Sequence, residues 1–534
     1  MGKEKILVRE ATEADIEPIR ELFLAVYGQD YAHPQFYDPQ LLKRMVYSHD
    51  TLLLVAVDET SSKVLGTSSI LFDMGGHTDL VGEFGRLVVH PDTQGLGVGN
   101  LLMEERLARV SDRLQLAITE CRMVHPFAQK ISISHGFSPV GFLPQKLLFS
   151  RRESLMLMAH YFGDALKLRR NNPRIIPEAF QLAELVMHNC GLDCDAIVED
   201  EAAAYPYDDR FELDELTTEG YTTLLHFQRG RVRNREVFGP IRLHYGLFKL
   251  RAKESNYLLA KEHGQIIGAI GFTLDQVENT VRIFEIITLN NRPIRFLLNA
   301  LEQKCIEQWH IDYMEVDVSA HAPSMQRTLL ELGYLPAAYI PALVFHEVER
   351  LDGIRMVRLL VTPDLGDIQL APECEPIVDL VMRHFIRRQI SPRIAEAIPK
   401  IALFTGLNSG QAKHLASRCN LQTYGAGETI FSEGNADDTI YLLLNGEIEI
   451  CSGESAKCIG GVGVGECLGE MSLLTQRPHS ATIRAKTQVE MALLGHQEVT
   501  ELVRLRPDIG VVLYRNLAEG LGHKLKRTGA PKSD

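Results

Sequence analysis

The chain has 534 residues, and at roughly 150 residues per domain this excludes one compact core and points to three or four domains. Hydrophobic residues make up 45% and charged residues 24%, an ordinary globular balance that excludes a disordered or fibrous chain. Lys and Arg number 56 against 70 Asp and Glu, a formal charge of −14, and with no basic block nucleic acid is excluded as the main partner. Apolar runs stop far short of the ~18 residues a membrane span needs; residues 52–57 are about the longest. The opening Met1-Gly2-Lys3-Glu4-Lys5-Ile6 carries no apolar signal region, and nine scattered cysteines fit reduced thiols. A cytoplasmic protein with no membrane partner is expected.

In chain order, residues 6–9 read as a short strand. Thr12-Glu13-Ala14-Asp15 reads as a helix start, with Thr12 as cap and acids in the first turn. Residues 52–57 and 64–72 read as strands and 83–89 as another. Residues 99–110 read as a helix with apolar positions Leu101, Leu102 and Leu107. Between that strand and helix lies Gln94-Gly95-Leu96-Gly97-Val98-Gly99. Glycines there let successive N–H groups face one concavity at a helix start, which holds a diphosphate without basic side chains. A tight structural turn would use the same residues. A Rossmann dinucleotide site is disfavoured, because the loop follows about the fourth strand and Pro91-Asp92 breaks the strand first.

The chain is also self-similar. Gln129, Gly136, Pro139, Phe142 and Pro144 return 197 residues later as Gln326, Gly333, Pro336, Tyr339 and Pro341. Pro177-Glu178 and Leu185-Val186-Met187 return 195 residues later as Pro372-Glu373 and Leu380-Val381-Met382. Two matches at nearly one spacing predict two copies of one α/β domain, residues 1–195 and 205–388, joined through the acidic stretch 195–209. In register with the glycine loop, the second copy reads Asn290-Asn291-Arg292-Pro293-Ile294-Arg295. No glycine remains, Pro293 removes an N–H donor and Arg295 is bulky. This copy is expected to lack the anion site and to pack against the first.

The strand at 83–90 followed by Gln94-x-x-Gly97-x-Gly99 resembles motif A of the GNAT acyltransferases, and Ala128 to Gly136-Phe137 resembles their motif B. The resemblance spans residues 1–149 in order. It implies that Gln94, Gly95, Leu96, Gly97, Val98 and Gly99 bind the pyrophosphate of acetyl-CoA. It also implies that backbone N–H groups around Leu87, Val88 and Val89 carry the acetyl carbonyl. The implied reaction is direct acyl transfer to an amine, which needs a base for the amine and an acid for the leaving thiolate. Glu83 stands where several protein-directed members keep the base, and it also reads as a solvated acid at a strand start. Ser132 occupies the position of the family's acid, a Tyr four residues after Ala128, and is a far poorer proton donor. His125 and His135 are candidates to compensate; each also reads as a structural or merely exposed histidine.

From about residue 394 short β-like runs at 440–444, 447–451, 481–485 and 491–494 alternate with glycines, and a helical tail spans 507–525. Residues 397–527, within a domain placed at 395–528, resemble a cyclic-nucleotide-binding jelly roll. The likeness runs through Leu403-Phe404, Gly427-Glu428, Gly434, Gly446-Glu447, Gly465-Glu466 and the cassette Gly469-Glu470-Met471-Ser472-Leu473 to Pro478-His479-Ser480-Ala481. It implies that Gly469 and neighbouring N–H groups face a cyclic phosphate, that Glu470 accepts the ribose 2′-hydroxyl, and that Met471 and Ser480 belong to the same nucleotide site. The family's phosphate-binding Arg is replaced by His479, with Arg477 two residues earlier as the only nearby substitute. Only about 40 residues follow the cassette's strands, too few for a helix-turn-helix, so a transcription factor is disfavoured.

The expected fold class is therefore α/β in tandem GNAT-like copies, followed by a β jelly roll with flanking helices. The expected function is acetyl-CoA-dependent N-acylation, with protein lysine as acceptor, regulated through the C-terminal domain. The alternatives are a non-catalytic sensor or scaffold and a small-amine N-acetyltransferase. Acetyl-CoA is the expected substrate, a cyclic nucleotide the candidate effector with His479 against it, and no metal is expected.

Overall fold

The computed structural model describes residues 6–29, 31, 34–72, 78–149, 151–216, 236–239, 253–361, 366, 368–388, 394, 397–416, 418–452, 457–475 and 477–529. They form two compact units, 1–382 and 383–534. Both expected copies, 1–195 and 205–388, fall almost wholly in the first unit, and part of the second copy lies outside the described residues.

The first half of that unit begins with β1 (Ile6–Glu10), α1 (Ile16–Tyr27) and α2 (Pro39–Val46). Then come β2 (Thr51–Asp58), β3 (Val64–Leu71), β4 (Val81–Val89), α3 (Val98–Val110), β5 (Leu116–Arg122), α4 (Phe127–Ser134), β6 (Ser138–Leu148) and β7 (Arg152–Tyr161). A connection carries β8 (Arg174–Ile175), α5 (Pro177–Asn189) and β9 (Ile197–Val198). The second half has β10 (Glu212–Leu216), β11 (Val237–Phe238), β12 (Lys253–Glu262), β13 (Gln265–Asp275) and β14 (Thr280–Thr288). It continues with α6 (Arg292–Glu307), β15 (Tyr313–Ser319), α7 (Pro323–Glu331), β16 (Leu335–His346), β17 (Glu349–Leu359) and α8 (Glu375–Arg388). At the expected helix start the Thr12 N–H and hydroxyl both donate to Asp15 Oδ2, at 2.7 and 2.8 Å.

One sheet runs through both halves in the order β1-β2-β3-β4-β5-β7-β6-β16-β17-β15-β14-β13-β12-β10. Read inward from either edge, the two halves have the same strand sequence, and they meet where Gly141 of β6 pairs with Ala338 of β16. A Cβ on Gly141 would lie 2.1 Å from the Ala338 Cβ, so the seam requires a glycine at this position. Behind it, Lys146 bridges Glu120 and Glu315 while Arg355 and Arg282 hold Asp317. Burial pushes the Glu315 carboxyl up, but Lys146, Arg355 and Arg282 outweigh it and hold it below its ordinary range.

The repeated glutamines have one job in both halves. Gln129 accepts from the Ala371 N–H at 2.9 Å and donates to the Gln369 carbonyl at 3.1 Å. Gln326 accepts from the Ile176 N–H at 3.0 Å and donates to the Ser319 and Arg174 carbonyls at 2.9 and 3.3 Å. Each half thus clamps the segment that leads into the helix following the other half. Both amides are fully buried, so their hydrogen-bonding groups must be satisfied internally.

Next to this clamp, burial first, then the charges of Arg170 and Arg169, lower the His321 imidazole to about 4. An unfolded chain takes up that proton near pH 6.5, so between about pH 6.5 and 4 it binds a proton that the folded unit refuses. Stability must then fall as pH falls through that window. His321→Gln should show a smaller drop in Tm between pH 7 and pH 5 than the wild type. An identical drop would mean that another group controls acid sensitivity.

The second unit contains α9 (Ser409–Ala416), β18 (Asn420–Tyr424), β19 (Thr429–Phe431), β20 (Thr439–Asn445), β21 (Ile448–Ser452) and β22 (Lys457–Val462). It ends with β23 (Cys467–Leu468), α10 (Glu470–Thr475), β24 (Thr482–Ala485), β25 (Val489–Gly495), α11 (His496–Leu505) and α12 (Pro507–Gly529). The strands make two four-stranded sheets, β18-β25-β20-β23 and β19-β24-β21-β22. Alternation divides the apolar residues: Leu443, Ile448, Ile483 and Met491 fill one cluster. Ile440, Leu442 and Leu494 face Leu502, Leu513 and Leu517 of the helices in the other.

Candidate functional site

Strands β4 and β5 run parallel but pair only over Val81–Phe84 with Leu116–Thr119. Beyond Phe84 the strands part, since β4 continues to Val89 and β5 to Arg122 without pairing. Across β3 the register skips, so that Ser68 alone stands opposite Arg86 and Leu87. Arg86 takes a left-handed φ of 54°, and the bulge re-aims the end of the strand. Leu87 and Val89 then pack on the α3 side and Val88 on the α1 side. The backbone edge of Leu87, Val88 and Val89 is left facing a gap.

At the mouth of that gap, Gln94 and Gly95 are exposed and Leu96 is half-buried, while Val98 is buried in the first turn of α3. Gly95 and Gly97 have φ of 84° and 80°, values that favour glycine. A Cβ on Gly95 would enter open space. Gly97 caps α3 with no side-chain cap, so the first-turn N–H groups of a 13-residue helix keep their anion-binding capacity. These residues fit a diphosphate. Gly99 serves differently: a Cβ there would lie 2.9 Å from Ile131 Cδ1, so its role is close packing of α4 on α3.

Glu83 faces the α1 side of β4, where Arg86 Nη2 lies 2.9 Å from its Oε1. The Tyr31 ring stands nearby, with Tyr27, Phe23 and Phe149 rings at 4.7, 4.9 and 6.4 Å. Burial pushes the Tyr31 phenol well above its ordinary value, Tyr27 and Glu83 add to the rise and Arg86 opposes it. Tyr31 therefore stays protonated. Across the opening, Arg122 makes a two-pronged pair with Glu153 at 2.8 Å and covers the Phe149 ring at 4.1 Å.

Ser132 sits on α4 against the end of β5. It is 1% exposed, with its Oγ 3.6 Å from Cys121 Sγ, and burial pushes the Cys121 thiol up to about 11. His135 is tied to its own helix through Nδ1 and the Ile131 carbonyl at 2.7 Å. His125 is half-buried against Phe127; burial, then the charge of Arg122, lowers its pKa. Among the described residues no hydrogen bond or ion pair joins Glu83 to Ser132, His125 or His135. The inward face of α3 holds Leu102, Met103, Arg106 and Val110, with Leu101 and Leu107 only half-buried. Arg106 was discoverable from its spacing in that stripe.

At the equivalent place in the second half, α6 begins at Arg292 behind Asn291, whose φ is −78°. Arg292 pairs with Asp208 and Glu262 at 3.0 and 2.9 Å, and Arg295 with Glu331 at 2.7 Å. Here β14 and β15 also pair only over Thr280–Ile283 with Tyr313–Val316. The gap beyond is filled by the chain itself: β11 pairs Val237 and Phe238 with Val318 and Asp317. A Cβ on the adjoining Gly239 would meet the Phe284 Cβ at 2.4 Å.

In the second unit Gly469 has φ of 78° and passes so close to Thr439 that a Cβ would lie 2.4 Å from its carbonyl. Glu470 is buried, Met471 is exposed and the Ser472 hydroxyl donates to the Gly469 carbonyl at 2.7 Å. Arg477 and Ser480 are exposed. His479 turns inward, stacked on Phe431 at 3.9 Å, with Nε2 3.9 Å from Asp437 Oδ2 and, among the described residues, no hydrogen-bond partner for that nitrogen. Tyr441 donates its hydroxyl to the same Asp437. An acid and an imidazole thus lie side by side next to Gly469.

Residues 16–130 match the family described as Acetyltransferase (GNAT), and residues 421–505 match the Cyclic nucleotide-binding domain. The chain is similar to the cAMP-dependent protein kinase regulatory subunit of Emericella nidulans, 31% identical over 119 residues, which cover 22% of this chain and 28% of that protein. It is also similar to Lysophospholipase nte1 of Aspergillus terreus, 28% identical over 152 residues, 27% of this chain and 10% of that one. A solved cyclic nucleotide-binding domain from Methylobacillus flagellatus is 25% identical over 25% of this chain and 78% of its own, with a TM-score of 0.24. The chain spans only the minor part of each curated relative stated above. It carries a GNAT acetyltransferase domain, matched over residues 16–130, and a C-terminal cyclic nucleotide-binding domain, matched over residues 421–505.

Proposed function

We propose that the first half is an acetyl-CoA-dependent N-acyltransferase acting on an amine, with lysine side chains of proteins as the acceptor class. The observation that carries this reading is the uncapped start of α3 behind two left-handed glycines, at the end of a strand that parts from its neighbour. Acetyl-CoA supplies an acyl group activated as a thioester. The N–H groups around Gly95 and Gly97 hold its diphosphate, and the edge of β4 at Leu87, Val88 and Val89 offers N–H donors to the acyl oxygen. Glu83 takes the proton of the attacking amine, its carboxylate held in place by Arg86. The lysine assignment rests on analogy with sensor-coupled members of the family.

The second half is a copy of the same fold that has given up CoA binding. Mirrored strand order, two ion-paired arginines in place of glycines and the inserted β11 support this reading. The C-terminal domain regulates the reaction. The burial of Ser132 away from Glu83 favours a second reading, a non-catalytic sensor or scaffold.

Release of CoA from acetyl-CoA by the full chain, with protein lysine and small amines as acceptors and with or without cyclic AMP, separates the readings. Turnover with one acetyl-CoA bound per chain is expected; no turnover with any acceptor supports the scaffold. For the regulatory site, wild-type affinity for cyclic AMP should be weak, because His479 lacks the two-pronged charge and Asp437 repels phosphate. A charged hydrogen bond contributes about 1.5–3 kcal/mol, so His479→Arg combined with Asp437→Ala should bind about 10- to 100-fold more tightly by calorimetry. If neither protein binds, the barrel serves domain contacts instead. Tight wild-type binding that is lost in Arg477→Ala would show that Arg477 holds the phosphate.

A further inference from the structure

Arg106 is an arginine in an apolar stripe. It is 1% exposed, and among the described residues its Nε has no hydrogen-bond partner. Its Nη atoms reach the Ser69 and Gly85 carbonyl oxygens only at 3.5 and 3.4 Å, and Met103 Sδ at 3.3 Å. The guanidinium stands 5.0 Å from the centroid of the Phe84 ring. Among the described residues no acid forms an ion pair with it, and the groups whose charge acts on it are Cys121 of β5 and Arg86 of β4. Burial lowers its pKa to about 9. A buried cation without a counter-charge is costly to keep, and proteins retain such groups where an anion is to be met.

Its position says which anion. Phe84 is the last β4 residue paired with β5, and Gly85 is the first beyond it. Cys121, past the last paired residue of β5, touches Ser132 on α4. The guanidinium therefore lies at the apex of the gap, on the side of the sheet covered by α3 and α4 and opposite to Glu83.

We propose that Arg106 stabilises the thiolate that leaves the acyl thioester, replacing the proton donor that Ser132 does not provide. The inference rests on the acyltransferase reading of the first half. In the step, the acceptor nitrogen bonds to the acyl carbon, the carbon–sulfur bond breaks and its electron pair stays on sulfur. The amine proton passes to Glu83 through water. Arg106 meets the new negative charge with N–H donors that have no acid to serve, and water protonates the sulfur on release.

The test reads the thiol without turnover. Free CoA is bound to the full chain and to Arg106→Met, and the ultraviolet absorbance of the thiolate is followed against pH, with desulfo-CoA as blank. Met fills the stripe without charge, and the desulfo-CoA blank subtracts the absorbance of the protein's own thiols, Cys121 among them. The bound thiol should ionise about one pH unit or more lower in the wild type than in Arg106→Met, with CoA affinity at pH 6 alike in both. Single-turnover acetyl transfer should fall about 10²-fold in the variant. Equal ionisation in the two proteins would overturn the inference and leave the acyltransferase reading standing; failure of the wild type to bind CoA would overturn both. If Arg106→Met does not fold, Arg106→Lys, which keeps a charge but has fewer donors, should show a smaller shift. An unchanged thiol there would count equally against the proposal.

Discussion

Gly97→Asp should abolish acetyl-CoA binding while leaving the fold intact. Gly97 closes the turn at φ 80° and caps α3 with no side chain across its first N–H groups. An aspartate there does two things at once. Its carboxylate bonds to those N–H groups as a helix cap, satisfying the donors intended for the ligand. Its charge also faces a diphosphate that depends on the positive end of the helix. The left-handed backbone costs a residue with a Cβ about 1–2 kcal/mol, and aspartate is among those that tolerate it best. Loss of affinity of 100-fold or more by calorimetry is expected, with a Tm lowered by a few degrees at most. Binding within threefold of the wild type would place the diphosphate elsewhere.

Glu83→Gln should lower kcat/KM for the amine by about 10²-fold or more and leave acetyl-CoA affinity unchanged. A glutamine keeps the shape and one acceptor toward Arg86 but cannot take a proton, so the effect isolates the base. The loss should shrink as pH rises toward the lysine range, near 10.4, where free amine no longer has to be generated by the enzyme. A rate at neutral pH equal to that of the wild type would return Glu83 to a role as the partner of Arg86. Equal losses at all pH values would point to a disturbed Arg86 bulge rather than a missing base.

Much of the site is legible in the residues because it is local. Gly95 and Gly97 must be glycine for the turn they make, and the strand before and helix after them have their own periodicities. Gln129 and Gln326 were visible as a repeat for a related reason: two buried amides in the same place need the same side chain, so the spacing survives where surface residues drift. Gly469 in the barrel follows the same rule, since no side chain fits beside the Thr439 carbonyl.

Other features depended on pairings that join residues far apart in the chain. Gly141 is an unremarkable strand glycine until Ala338 lies across from it and two half-sheets become one. Copy two reads as emptied from its lost glycines alone, but that β11 fills its gap follows only from pairing across about eighty residues. His479 reads as a weaker phosphate ligand; its stacking on Phe431 and the acid beside it came from the packed barrel. The spacing of Arg106 places it on the inward stripe of α3, yet whether an acid meets it there is a property of every strand and helix around it. Local spacing determines turns, caps and helix faces, because those involve neighbours within a few residues. Which groups meet in the interior, and which charge is left without a partner, is decided by the long-range packing that brings the elements together.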